Sequence, residues 1–390
     1  MKVLLDFVSN RHHTLYNELI NYPPQSIEYQ ISSGKVHSTR LWELGTLLYD
    51  NLPEKSKLIL RNVYVSALNF YINAISKEDE DVDLVHVCNT FAMSRKNKPW
   101  VLDIENVGPS TTGGDFSAFQ LQKKKIEKVL SSEYCKKIMP WTIWGKGTLE
   151  TFFDVKDFKH KIEVVYPAMH VVPKWPKPAN EKIKILFIGS INNPELFIYK
   201  GGEYALKCFE ILSKKFDIEL IIRSLVPQEI KKKYQNIEGI VFIEEVLSKG
   251  DLYALYGKSD ISLLPGHAYP LMATLESMAF GLPIVTIDGV ANAEFVKHGK
   301  TGFLARPSKH VLTTDPISFC WIAKKMQEHG ILVDPIVVNE LTEHIVTLIE
   351  NDSLRKNMAK QAKKRIENGD FSIKVRNQKL KRVYEEAAKK

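Results

Sequence analysis

The chain is short of the residues from which metal centres and disulfide frameworks are built. Its four cysteines, Cys88, Cys135, Cys208 and Cys320, stand far apart. Without the paired spacing of a zinc or redox motif they read as small core hydrophobes in a reducing compartment. Long apolar runs are missing too: the most apolar stretches, 218–222 and 261–265, fall far short of the ~20 residues that cross a bilayer. The opening Met1-Lys2-Val3-Leu4-Leu5 meets Asp6 too early for a secretory leader and reads as a first buried strand. Internal repeats, low-complexity tracts and nucleic-acid-module signatures are absent from the sequence. The expectation is a cytoplasmic protein with no transmembrane anchor and no nucleic-acid partner.

What is present is ordinary globular composition, 44% hydrophobic with 26% charged residues, which makes disorder on the scale of a domain improbable. A length of 390 residues exceeds what one core usually serves, so two domains are expected. The formal charge of +8 points to an anionic partner, such as a phosphorylated substrate or an acidic membrane surface. Basic stretches at 123–125, 136–137, 156–161 and 231–233 read mainly as solvated faces.

Strand-like and helix-like segments alternate, which implies parallel sheets with helical crossovers. Residues 1–8, 83–87 and 100–104 pattern as buried strands and 41–49 and 64–75 as helices. The pattern loosens at Tyr166-Pro167, and the proline-rich connection at 172–178 marks a boundary between domains at 1–175 and 176–390. The second begins with a strand at 184–188 running into Gly189. Helices at 203–214 and 251–256 and strands at 218–222, 261–264 and 283–287 follow, with an insertion at 307–334 and helices at 337–350, 353–367 and 372–387. The last of these is expected to pack back on the first domain.

The most telling stretch is Leu275-Glu276-Ser277-Met278-Ala279-Phe280-Gly281-Leu282-Pro283. It reads as a helix carrying one carboxylate, stopped by glycine and followed by a strand. In an α/β domain that order places Glu276 near the carboxyl ends of parallel strands, where nucleotides bind. The preceding loop holds Gly266 and Pro270 and should leave backbone amides open to a phosphate.

Other motifs stand in order around it: Ile188-Gly189, Lys200-Gly201-Gly202, Leu255-Tyr256, Ser259-Asp260-Ile261, Leu264-Pro265, Glu294-Phe295-Val296 and Thr301-Gly302-Phe303-Leu304. Together they resemble the nucleotide-sugar-binding domain of family 4 glycosyltransferases, retaining enzymes of the GT-B fold. The N-terminal half matches only in outline. The resemblance implies an α/β GT-B architecture: two Rossmann-like domains whose parallel sheets face a central cleft, and a C-terminal helix. It implies that Glu276 binds the donor ribose and that Lys200, at a helix start, stabilises the leaving diphosphate. The donor-side set it implies is Gly189, Ser190, Lys200, Gly201, Arg223, Val246, His267, Leu275 and Glu276.

Departures from the family pattern are equally informative. The family's first glutamate is Ala268 here, with His267 and Tyr269 nearby, and its arginine after the strand glycine is Ser190. Arg223, at the end of a strand, is a substitute cation or an ordinary loop arginine. The family's active-site histidine closes the strand that here ends on Glu105. That carboxylate either orients a substrate hydroxyl or, with Asp103, caps the next turn. His86 reads as a core histidine. The loop bearing Asn10, Arg11, His12 and His13 is the acceptor-binding candidate, and Asp79, Asp81 and Asp83 form a charged turn rather than a metal motif.

The reading is a metal-independent hexosyltransferase that needs no cofactor and takes a nucleotide diphosphate sugar as co-substrate. Lys200, Glu276 and Glu105 are its catalytic candidates, and a glycan or lipid-linked molecule is its acceptor. A peripheral contact with the cytoplasmic face of a membrane stays open, since Phe119, Ile126 and Leu130 could give the lysine-rich 123–125 segment an apolar face. A sugar-nucleotide epimerase of similar fold and a GT-B binding protein without turnover are the alternatives.

Overall fold

The structure, a computed structural model, describes residues 1–7, 15–31, 56, 81–89, 98–107, 116–173, 175, 182–266, 270–309 and 333–389, the side chains of 116–122 excepted. The helices expected at 41–49 and 64–75, most of the insertion, and Cys320 lie outside these residues.

Contacts divide the chain into two units, one of Met1–Pro167 with Arg376–Lys390 and one of Ala168–Val375. The division falls earlier than the proline-rich connection because Ala168, Met169 and Val172 are buried and Met169 N donates to Phe371 O at 3.1 Å, within the second unit. The last helix, Ile373–Ala388, joins the first unit from Arg376 onward. There the buried Arg376 donates from Nη2 to Tyr22 O at 2.6 Å. Tyr384 reaches both His86 Nδ1, at 2.8 Å, and the Tyr29 hydroxyl, at 3.1 Å.

The first unit holds a five-stranded parallel sheet. Its strands are β1 (Lys2–Asp6), β2 (Glu28–Ile31), β3 (Leu84–Cys88), β4 (Trp100–Ile104) and β5 (Cys135–Pro140), in the order β2-β1-β3-β4-β5. Every residue of β3 and β4 is buried, as expected for strands covered on both faces. The helix Phe116–Ser131 packs Ile126 and Leu130 into this core, while Lys124 and Lys125 face solvent. Not all of the basic stretches are solvated faces. Lys161 is buried and donates to Leu130 O at 3.0 Å and Ser132 O at 2.8 Å, where it satisfies the last carbonyls of that helix.

The second unit holds six parallel strands, β6 (Ile183–Ile188), β7 (Ile218–Arg223), β8 (Ile240–Ile243), β9 (Ile261–Leu264), β10 (Ile284–Ile287) and β11 (Gly302–Ala305), in the order β11-β10-β9-β6-β7-β8. Counted from β6, the order reverses between β6 and β9. This is the doubly wound dinucleotide-fold arrangement, whose ligand crevice lies outside the carboxyl ends of the strands at that switch point.

Helix ends are set by local chemistry. Asp334 accepts from Ile336 N at 3.0 Å and precedes Pro335 at the first position of the Pro335–Glu350 helix. Asn351 caps Asp352–Glu367 through Leu354 N at 2.9 Å. Cys88, Cys135 and Cys208 are buried free thiols. Burial pushes Cys135 and Cys208 up to about 12, which suits inert packing residues. No helix among the described residues is long and apolar enough to cross a membrane.

Candidate active site

The residues around the β6/β9 switch point are joined by backbone contacts that leave no room for side chains. Gly189 follows β6; its N donates to Arg223 O at 2.9 Å, and a Cβ there would fall 2.2 Å from Ser224 Oγ. Ser190 O accepts from Leu225 N at 2.7 Å and from Ser224 Oγ at 3.0 Å, while its own Oγ accepts from Asn192 N at 3.2 Å. Ser190 therefore ties the ends of β6 and β7 together, where the family pattern has a cation.

Lys200 ends the short helix Leu196–Tyr199, and Gly201 opens Gly202–Leu212. Gly201 has φ +82, and a Cβ on it would lie 2.3 Å from Pro265 O and 2.8 Å from Gly266 N. The Lys200-Gly201 turn is thus pressed against the loop that follows β9. Gly201→Ala should combine a left-handed backbone cost of roughly 1–2 kcal/mol with that clash. Thermal unfolding several degrees below wild type and loss of nucleotide binding are the expected results; wild-type values of both would contradict this account of the turn.

Glu276 sits half-buried on the helix Leu271–Ala279, and its register is fixed from two sides. Ser277 Oγ donates to Ala273 O at 2.7 Å, so Ser262 on β9, 2.8 Å away, donates to it and pins the helix to the sheet. The far end closes on Gly281 at φ +68, with Gly281 N donating to Met278 O at 3.0 Å and Leu282 N to Ser277 O at 2.8 Å. This is a Schellman cap. At the near end Pro270 supplies no side-chain cap, and uncapped first-turn amides are what an anion site requires.

Side chains from three separate elements interact around Glu276. Tyr256, fully buried, donates its hydroxyl to Glu276 Oε2 at 2.7 Å. Arg223, the last residue of β7, interacts electrostatically with both Tyr256 and Glu276. Burial lowers the Arg223 pKa, and the two neighbours partly restore it. Its Nε is buried and has no hydrogen-bond partner among the described residues. Asn292 Nδ2 links β10 to the same loop, donating to Ile287 O at 2.9 Å and Gly266 O at 3.4 Å. The sequence reading did not single out Tyr256 or Asn292 as site residues, although Tyr256 stood in one of the quoted motifs.

The other candidates divide. Leu275 is fully buried, so its side chain serves the core. Val246, in the loop after β8, is 79% exposed. His267, Asn10, Arg11, His12 and His13 lie outside the described residues. In the first unit Glu105 accompanies its neighbour Asn89, whose Oδ1 accepts from Glu105 N at 3.0 Å. Asp103 does not cap the following turn. Its Oδ1 accepts from Tyr16 OH at 2.6 Å and Asn89 N at 2.7 Å, and its Oδ2 lies 3.5 Å from Nε2 of the buried His86. Asp81 pairs with Lys2 at 2.6 Å and Asp83 accepts from Lys2 N at 2.8 Å, which assigns both to anchoring β1. Among the described residues no group of three or more metal-ligating side chains is present.

Comparison with known proteins gives this geometry a context. Residues 182–320 match the sequence pattern of the family described as Glycosyl transferases group 1, so the resemblance carried by the motifs of the second half is borne out over that segment. A protein of Haemophilus influenzae named as an uncharacterized glycosyltransferase is 29% identical over 189 residues, 46% of this chain and 50% of that protein. The match thus spans half the length of this curated relative. Among solved structures, Anabaena HepE in complex with UDP-glucose aligns with a TM-score of 0.63 at 14% identity over 99% of both chains. Sucrose-phosphate synthase from Thermosynechococcus elongatus aligns at 0.63 and 11% identity over 98% of both. At these identities the likeness shows the fold: two parallel-sheet α/β domains of the GT-B type.

Proposed function

We propose that this protein is a glycosyltransferase that moves a hexose from a nucleoside diphosphate sugar to an acceptor with retention of configuration. One observation carries the reading most. Arg223 interacts electrostatically with Glu276, and the Lys200-Gly201 turn is pressed on the loop after β9, all inside the segment that matches group 1 glycosyltransferases. Glu276 accepts the ribose hydroxyls. Lys200, Arg223 and the first-turn amides of Leu271–Ala279 meet the diphosphate and stabilise the charge that grows as the glycosidic bond breaks. HepE with UDP-glucose makes a uridine nucleotide the first donor to try. The reading asks for no metal, because the GT-B resemblance does not call for one, and no cofactor. Glu105 orients a substrate hydroxyl from the first unit.

The test is release of nucleoside diphosphate from a panel of nucleotide sugars, in the presence of chelator. Slow release is expected without acceptor, because water is a poor nucleophile, and faster release with the correct acceptor. Dependence on a divalent metal would contradict the metal-free reading. No release from any donor would favour a binding protein without turnover, the reading consistent with Ser190 in place of the family's arginine.

The acceptor is anionic or presented at an anionic surface, as a glycan or lipid-linked molecule. Since Ile126 and Leu130 are buried, any membrane contact of the Lys123–Lys125 face is electrostatic. Flotation with anionic vesicles should succeed at low salt and fail at high salt. Recovery equal to that with neutral vesicles would leave a soluble acceptor.

A further inference from the structure

Tyr256 is held in one place by an aromatic cluster. Its ring stacks on Phe280 at 5.3 Å and 15°, and Phe280 in turn meets Tyr253 at 5.0 Å and Trp175 at 6.1 Å, both edge to face. The Trp175 indole lies so close to Gly257 that a Cβ there would fall 2.0 Å from its Cδ1. The ring is fully buried, so the hydroxyl has little freedom to seek another partner. Burial, followed by the Glu276 charge, holds the phenol well above its ordinary value. It therefore stays protonated and serves the carboxylate as a donor.

We propose that Tyr256 is a positioning residue: its hydroxyl, 2.7 Å from Glu276 Oε2, fixes the Glu276 rotamer so that the carboxylate reads the two ribose hydroxyls of the donor. The inference rests on the ribose reading of Glu276. A carboxylate offers about four acceptor sites, so one hydrogen bond from Tyr256 still permits two from a diol. A glutamate on a helix side otherwise samples many rotamers, and ordering them opposes binding. Tyr256 removes that cost before the nucleotide arrives. Discrimination between a ribose and a sugar without its diol then depends on a residue that itself does not touch the nucleotide.

The experiment is calorimetric titration of UDP and 2′,3′-dideoxy-UDP into wild-type protein, Tyr256→Phe and Glu276→Gln. Wild type should prefer UDP. Tyr256→Phe keeps the stacked ring and should reduce that preference about fivefold, the equivalent of one ordinary hydrogen bond, with the affinity for the dideoxy nucleotide unchanged. Equal losses for both nucleotides, or an unchanged preference, would overturn the positioning role. A wild-type protein that binds both equally, or a Glu276→Gln variant that keeps the full preference, would instead overturn the ribose reading itself. If Tyr256→Phe does not fold, Phe280→Leu removes the ring stacked on Tyr256 and should narrow the preference in the same sense.

Discussion

Glu276→Gln should weaken nucleoside diphosphate binding at least about tenfold while thermal unfolding stays near that of wild type. Hydrogen bonds to a charged acceptor contribute roughly 1.5–3 kcal/mol each, and every 1.4 kcal/mol is about tenfold in affinity. The amide retains one acceptor oxygen for Tyr256 but loses the charge that a diol feels. The helix that bears it is held by other contacts: by Ser277 on Ser262, by the Gly281 cap, and by the buried Leu275 and Met278. Titration of the folded variant is the check. Unchanged nucleotide affinity would remove the ribose assignment.

For Lys200→Ala the larger loss is expected in turnover. On the proposed reading, a cation just before the Gly202–Leu212 helix would meet a diphosphate whose charge grows as the sugar departs, and its interaction would be stronger in the transition state than in the ground state. Removing one such stabilising group costs about 10²-fold in kcat, while donor affinity should fall only several-fold because Arg223 and the helix amides remain. Steady-state release of nucleoside diphosphate, measured against donor concentration, separates the two effects. Equal losses in kcat and in affinity would mean that Lys200 only grips the ground state.

The parts of this fold that were legible in the sequence are those whose burial is written in consecutive apolar residues. Trp100–Ile104 and Ile261–Leu264 are strands covered on both faces, and such strands read as unbroken apolar runs. Edge strands lack that signature. In Glu28–Ile31 no residue is fully buried, and Cys135–Pro140 carries Lys136 and Lys137, so neither reads as a buried strand. The buried Lys161 is hidden for a related reason: a lysine that closes a helix end looks like any other in a basic stretch.

The site divides along the same line. Glu276 stands out locally because the glycine after its helix marks a stop, and Lys200 through the resemblance that its Lys-Gly motif carries. The bond between Tyr256 and Glu276 joins a helix before β9 to one after it, and only the parallel crossover brings the two together. The amphipathic pattern at the end of the chain marks a helix that needs a core to pack on. Its anchor, the Arg376 guanidinium on the Tyr22 carbonyl, is a tertiary contact that no spacing announces.

The claim at the centre of this account is that the β6/β9 switch point binds a nucleoside diphosphate sugar through Glu276 and Lys200. A thermal-shift titration of wild type and of a Glu276→Gln, Lys200→Ala double variant across several nucleotide sugars tests it most directly. A ligand that binds only the folded state at about 100 times its Kd adds about 2.7 kcal/mol to apparent stability, so at least one nucleotide sugar should raise the wild-type Tm by several degrees and leave the double variant unmoved. No shift of the wild type with any nucleotide sugar, or equal shifts of wild type and double variant, would contradict it.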